Sequence, residues 1–142
     1  MKKIFYYVSF FMMLGIVGCS KDDSGDGSGG PGADPLIGEW RLDYYTYAGV
    51  NQEPDECEAM GVIKIMADGT MVSTEYWDNG NGCEFDGEYT ENWENLGGGV
   101  YAFVDEFGEE FTMEPEFFDN NNRFRIVEMG GGVEYSVTYF RD

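Results

Sequence analysis

From Cys83 to Glu94 the chain keeps a period of two. Cys83, Phe85, Gly87, Tyr89 and Trp93 fall on one parity, and Glu84, Asp86, Glu88, Thr90, Asn92 and Glu94 fall on the other. Successive side chains of a β-strand point to opposite faces, so this pattern is a strand with one dry face and one wet one. Glu91 breaks the rule, placing a carboxylate on the apolar parity. The alternation recurs in Trp40, Leu42 and Tyr44 around Arg41 and Asp43, in Ile63 and Ile65 around Lys64, and in Phe111 and Met113 around Thr112. It returns near the end, where Val133, Tyr135, Val137 and Tyr139 alternate with Glu134, Ser136 and Thr138. Residues 70–77 carry apolar side chains on both parities, so no face is assigned to them.

Turn signals separate these runs. Asp68-Gly69 predicts a two-residue hairpin of type I′, which needs positive φ at both central positions. Asn79-Gly80-Asn81-Gly82, Gly97-Gly98-Gly99, Gly108, Asn120-Asn121-Asn122 and Gly130-Gly131-Gly132 mark further turns. About eight strands result: 38–48, 61–67, 70–77, 83–93, 99–105, 109–114, 123–129 and 133–141. The longest connection, 49–60, contains Pro54 and Cys57, and no segment shows a helical stripe. Short links between consecutive strands predict an all-β fold, an antiparallel up-and-down β-barrel of about eight strands. A closed barrel leaves no edge exposed. A two-sheet sandwich fits the pattern less well, since its Greek-key links usually need a long crossover.

Charge narrows the function. The chain carries 8 basic residues against 28 acidic, a formal charge of −20, and no histidine. Phosphate binding needs a basic face, so nucleic acid is not expected as a partner. Without histidine, Ser-His and Cys-His nucleophile pairs and the commonest metal ligand are absent. With 17% aromatic and 42% hydrophobic residues the chain can still build a core.

The first eighteen residues read as a secretory signal. Lys2 and Lys3 precede an uncharged, mostly apolar run of fifteen residues, 4–18, shorter than the roughly 20 a bilayer span needs. Ile16-Val17-Gly18-Cys19 resembles the lipobox of bacterial lipoproteins, which implies that Cys19 receives a lipid and becomes the N-terminus. Ser20-Lys21-Asp22-Asp23 resembles the export signal of surface lipoproteins in the Bacteroidota, which implies display on the outer face of the outer membrane rather than the periplasmic one. Residues 19–35 then form a lipidated cysteine and an acidic, Gly/Ser-rich tether with a reach of roughly 20–24 Å. Asp22-x-Ser24-x-Asp26-Gly27 imitates the start of a calcium loop, but Ala33 stands where the bidentate glutamate belongs. With Cys19 lipidated, Cys57 and Cys83 remain as an even pair in an oxidising compartment, and a disulfide between them is expected.

Residues 36–142 carry a family likeness. Leu36-Ile37-Gly38-Glu39-Trp40-Arg41-Leu42 resembles the opening G-x-W strand of lipocalins. The cysteine in the first long loop, Ala67-Asp68-Gly69-Thr70, the second cysteine, Gly87-Glu88-Tyr89 and the closing Tyr139-Phe140-Arg141 follow in the order of the small lipocalin-like domains of Bacteroidota lipoproteins. The resemblance implies a lipocalin-like (calycin-type) barrel closed at one end by Trp40 and Arg141, a structural pair. It also implies an interior that holds a small apolar or aromatic ligand. The helix that follows the barrel in ordinary lipocalins has no counterpart here.

The inward parity offers Phe85, Tyr89, Trp93, Phe111, Met113, Tyr135 and Tyr139 as candidate ligand-lining residues. Large aromatics also fill barrels of this size, so a packed interior is the competing expectation. In that case a protein partner would meet loop 49–60 or the aromatics Tyr45 and Tyr47. No nucleophile elbow, phosphate loop, dinucleotide fingerprint or metal spacing is present, so no enzyme, cofactor or metal is expected. The acids on the wet faces read as solubility.

Overall fold

The computed structural model describes residues 33–142. The signal segment 1–18, Cys19 and most of the tether lie outside the described residues. Ten strands follow in order: β1 (Gly38–Tyr47), β2 (Val50–Gln52), β3 (Val62–Ile65), β4 (Thr70–Asp78), β5 (Cys83–Gly97), β6 (Val100–Val104), β7 (Glu110–Met113), β8 (Glu116–Phe118), β9 (Arg123–Gly130) and β10 (Val133–Arg141). A single turn of 3-10 helix, Glu58–Met60, precedes β3. All ladders are antiparallel, in the order β7-β6-β5-β4-β3-β1-β10-β9-β8, with β2 on β1.

Ten strands reduce to the eight expected. β2 is a short addition on the edge of β1, pairing Tyr45 with Gln52 and Tyr47 with Val50. β7 and β8 run the same way and are separated only by Glu114 and the buried Pro115. They are two halves of one strand that changes partner midway. Its first half pairs with β6 (Phe111 opposite Phe103) and its second with β9 (Phe117 opposite Phe124). Proline has no N–H for a ladder and suits such a break.

The barrel is therefore curled but only half closed. β6 meets β5 from Asn92 to Gly97, so among the described residues the Cys83–Glu91 part of β5 has β4 alone as a neighbour. The Ile126–Gly130 part of β9 likewise has β10 alone.

The base is packed solid. Leu36, Trp40, Ile65, Tyr101, Phe103 and Phe124 form one buried cluster, joined by Trp93, Met113, Phe117 and Tyr139. Burial of Phe103 and of Phe124 each contributes on the order of 1.5–3 kcal/mol. Trp40 meets Phe124 edge-on at 4.7 Å, and Phe124 stacks on Tyr139 at 5.0 Å. Chain entry is pinned here too: Tyr101 donates its hydroxyl to Asp34 at 2.9 Å, and Trp40 Nε1 donates to the Leu36 carbonyl at 2.8 Å.

Arg141 seals this end. Its guanidinium lies 4.3 Å from the Trp40 ring centroid and donates to the carbonyls of Ile37 (2.8 Å), Pro35 (2.9 Å) and Asn121 (3.2 Å). Gly38 makes room for it, since a Cβ there would overlap Nη1 of Arg141. The Gly38 φ of +153° is also one that side-chain-bearing residues rarely adopt.

Two irregularities decide which side chains face inward. In β1, Leu42 pairs with Tyr139 but Tyr44 pairs with Thr138, so Asp43 is an extra residue. In β5, Gly87 pairs with Glu75 but Phe85 pairs with Tyr76, so Asp86 is extra. Past each bulge the parity of the strand flips. The Asp68-Gly69 hairpin is also longer than a type I′ turn. Of its two residues only Gly69 has positive φ, +88°, while Asp68 accepts a hydrogen bond from the Thr70 N–H at 3.0 Å.

Candidate functional site

β3 is only four residues long, and this is what opens a cavity. It pairs with β1 from Gly38 to Trp40 and with β4 from Met71 to Thr74. Above Trp40 it no longer separates the two strands. Residues 53–61 bridge the gap instead, with the 3-10 turn Glu58–Met60 packed against both β1 and β4. Beneath it lies a cavity of about 360 Å³. Trp40, Leu42 and Tyr45 of β1, Ile63 of β3, Ser73, Glu75 and Tyr76 of β4, Tyr139 of β10 and Glu58 line it. This volume is within the usual range for small-ligand pockets, and the walls mix aromatic and aliphatic side chains with polar and charged ones in about equal measure.

The covering loop is held from several directions. Asp55 accepts hydrogen bonds from the N–H groups of Cys57 and Glu58, both at 2.8 Å, and so fixes the turn. The Cys57–Cys83 disulfide, spanning 26 residues, ties it to the start of β5. Tyr45 donates its hydroxyl to Glu58 Oε1 at 3.1 Å, while Glu58 Oε2 accepts from the Asp55 N–H at 2.9 Å.

Carboxylates set the electrostatics. Burial, then the hydrogen bond to Glu58 and its charge, raises Tyr45 well above an ordinary phenol. Tyr139 is pushed up to about 12, chiefly by burial and then by Tyr135 and Glu75. Glu91 faces the interior in register with Met71, and its Oε2 is enclosed without a hydrogen-bond partner among the described residues. Burial raises it above the usual carboxylate range, with the charges of Asp105 and Glu75 adding to the effect.

Of the seven lining candidates read from parity, Tyr139 reaches the cavity. Trp93 and Met113 belong to the packed base, where Trp93 Nε1 donates to the Met66 carbonyl at 2.9 Å. Phe111 stacks on the buried Phe103 at 5.4 Å, and Tyr135 stacks on Tyr45 at 6.2 Å. The Tyr89 ring lies over Gly87. Phe85 is a correction: the bulge at Asp86 turns it outward, where it is half exposed and packs edge-on against Tyr76.

Tyr45 reverses the other way. Parity put it on the wet side with Tyr47, but the bulge at Asp43 turns it into the cavity and leaves Tyr44 outside, beside Thr138. Ser73 and Glu75 come from the run that showed no face. Glu58 carried no sequence signal at all, because its place depends on how the loop crosses β4.

Comparisons with known proteins agree with this architecture. The family model described as a lipocalin-like domain matches residues 36–129. A lipocalin-like protein from Bacteroides uniformis ATCC 8492 aligns over 77% of this chain and 100% of its own, with a TM-score of 0.50 and 17% identity. An uncharacterized protein from Bacteroides eggerthii DSM 20697 aligns over 73% of this chain and 98% of its own, with a TM-score of 0.45 and 14% identity. Among curated proteins none matches the chain.

Proposed function

Because the chain belongs to the family of lipocalin-like domains, we propose that it is a binding protein whose cavity between β1 and β4 takes a small apolar or aromatic molecule. One observation carries this reading: about 360 Å³ of space remains, walled by Trp40, Tyr45 and Tyr139, above a base that is otherwise fully packed. The lipobox and the acidic run after it support the rest of the proposal, a protein anchored through Cys19 to the outer membrane and displayed at the cell surface. The role proposed is binding without catalysis, a reading supported by a sequence that carries no nucleophile elbow, phosphate loop or dinucleotide fingerprint.

The test is titration of the purified protein with Nile red, an uncharged fluorophore that brightens in apolar surroundings. Saturable enhancement that is lost in Ser73→Phe, at an unchanged melting temperature, is the expected result. Equal enhancement in that variant would place the dye elsewhere and count against the cavity. Cys19→Ala is expected to release the protein from the membrane fraction. Continued membrane association, with labelled palmitate still incorporated, would overturn the anchor.

A further inference from the structure

Resting on the cavity reading above, we infer that the preferred occupant carries a positive charge: an apolar or aromatic ammonium compound, its ring or chain against the tyrosines and its nitrogen at the carboxylates. The cavity is lined by the aromatic side chains of Trp40, Tyr45 and Tyr139 and by two carboxylates, Glu58 and Glu75, both open to solvent. A third, Glu91, faces the interior from β5 outside the cavity lining itself, with its Oε2 enclosed and without a hydrogen-bond partner among the described residues. Ring faces and carboxylates attract the same kind of guest, a cation that is partly desolvated.

The protein supplies no such cation itself. The described residues contain five basic side chains, and each is engaged away from the cavity. Arg41 pairs with Asp142, Lys64 with Glu39, Arg123 with Asp43 and Arg125 with Glu116. Arg141 is spent on the base, held by three backbone carbonyls and the Trp40 ring. Thus Glu58, Glu75 and Glu91 have no ion-pair partner among the described residues, and a cationic ligand would meet no competing positive charge from the protein there. Phosphates and carboxylic acids would meet repulsion at the same place.

The experiment uses three probes of nearly equal size: tryptamine (cationic), tryptophol (neutral) and indole-3-propionate (anionic). Each is titrated by calorimetry and by displacement of Nile red. Tryptamine should bind about fivefold or more tighter than tryptophol, with indole-3-propionate weakest. Glu75→Gln should shrink that preference and Glu58→Gln with Glu75→Gln should abolish it, the readout being the ratio of tryptamine to tryptophol affinity within each variant. Glu88→Gln, on the outer face of β5, should change nothing, which separates the cavity from attraction to an acidic protein at large. Equal affinity for tryptamine and tryptophol, a preference that survives both substitutions, or no binding by any of the three while Nile red still binds would overturn the inference and leave the cavity reading standing. If Nile red fails as well, the cavity reading falls and takes this inference with it.

Discussion

At Glu91 a carboxylate sits where the strand pattern calls for an apolar side chain, and the fold makes it harder to ionise. A carboxyl whose pKa rises on folding contributes stability in its protonated form, present below the ordinary value near 4.5 and lost as the pH climbs through the raised one. Glu91→Gln is therefore expected to melt higher than the wild type at pH 7, with the gap narrowing as the pH falls to 4.5 and below. Melting curves at a series of pH values check this, and a constant gap would contradict it. Arg141 is the opposite case, a half-buried charge that is well partnered. Replacing it by alanine strands the carbonyls of Pro35, Ile37 and Asn121 and removes the contact with Trp40, an expected loss of about 2–4 kcal/mol in urea unfolding. Gly38→Ala should produce a loss of the same kind, because it displaces the guanidinium rather than deleting it.

Between strands, the bulges and the short β3 do more to shape the cavity than any single side chain. Alternation and turn residues made the eight strands legible, and Trp40 with Arg141 could be named from a family likeness. Alternation fails at a bulge, because one extra residue reverses every position beyond it. That is why Tyr45 read as exposed and Phe85 as interior, and nothing in Leu42-Asp43-Tyr44 or Phe85-Asp86-Gly87 announces the insertion. Glu58 was out of reach for a different reason: a loop's path over a sheet depends on the lengths of the strands it spans, and β3 falls short by several residues of β1 and β4. The disulfide belongs to this scale as well. Its closed loop implies a stabilisation of up to about 3.5 kcal/mol. Replacing both cysteines by serine should lower unfolding free energy by up to that amount and weaken Nile red binding. The second effect follows because the 3-10 turn roofing the cavity is tied to β5 through Cys57. Unchanged affinity in the double variant would show that Asp55 and Tyr45 hold the roof unaided.

The molecule as a whole is a packed plug carrying an open, acidic cup, with a formal charge of −20. Repulsion of that size opposes compaction and is screened by salt. Raising ionic strength from about 0.02 to 0.2 M should lift the melting temperature by about 2–5 °C, roughly half to one kcal/mol for a domain of this size. A flat response would mean that the four ion pairs and the spacing of the acids already balance the field. The point of chain entry has a consequence for traffic. Asp34 and Pro35 are clamped to the base through Tyr101 and Arg141, on the far side of the plug from the cavity. For a protein held by Cys19, the leash is attached to the floor of the vessel and not to its rim. If the proposed anchor at Cys19 holds, the point of attachment is at the packed base, which leaves the mouth of the cavity unobstructed by the chain that tethers it.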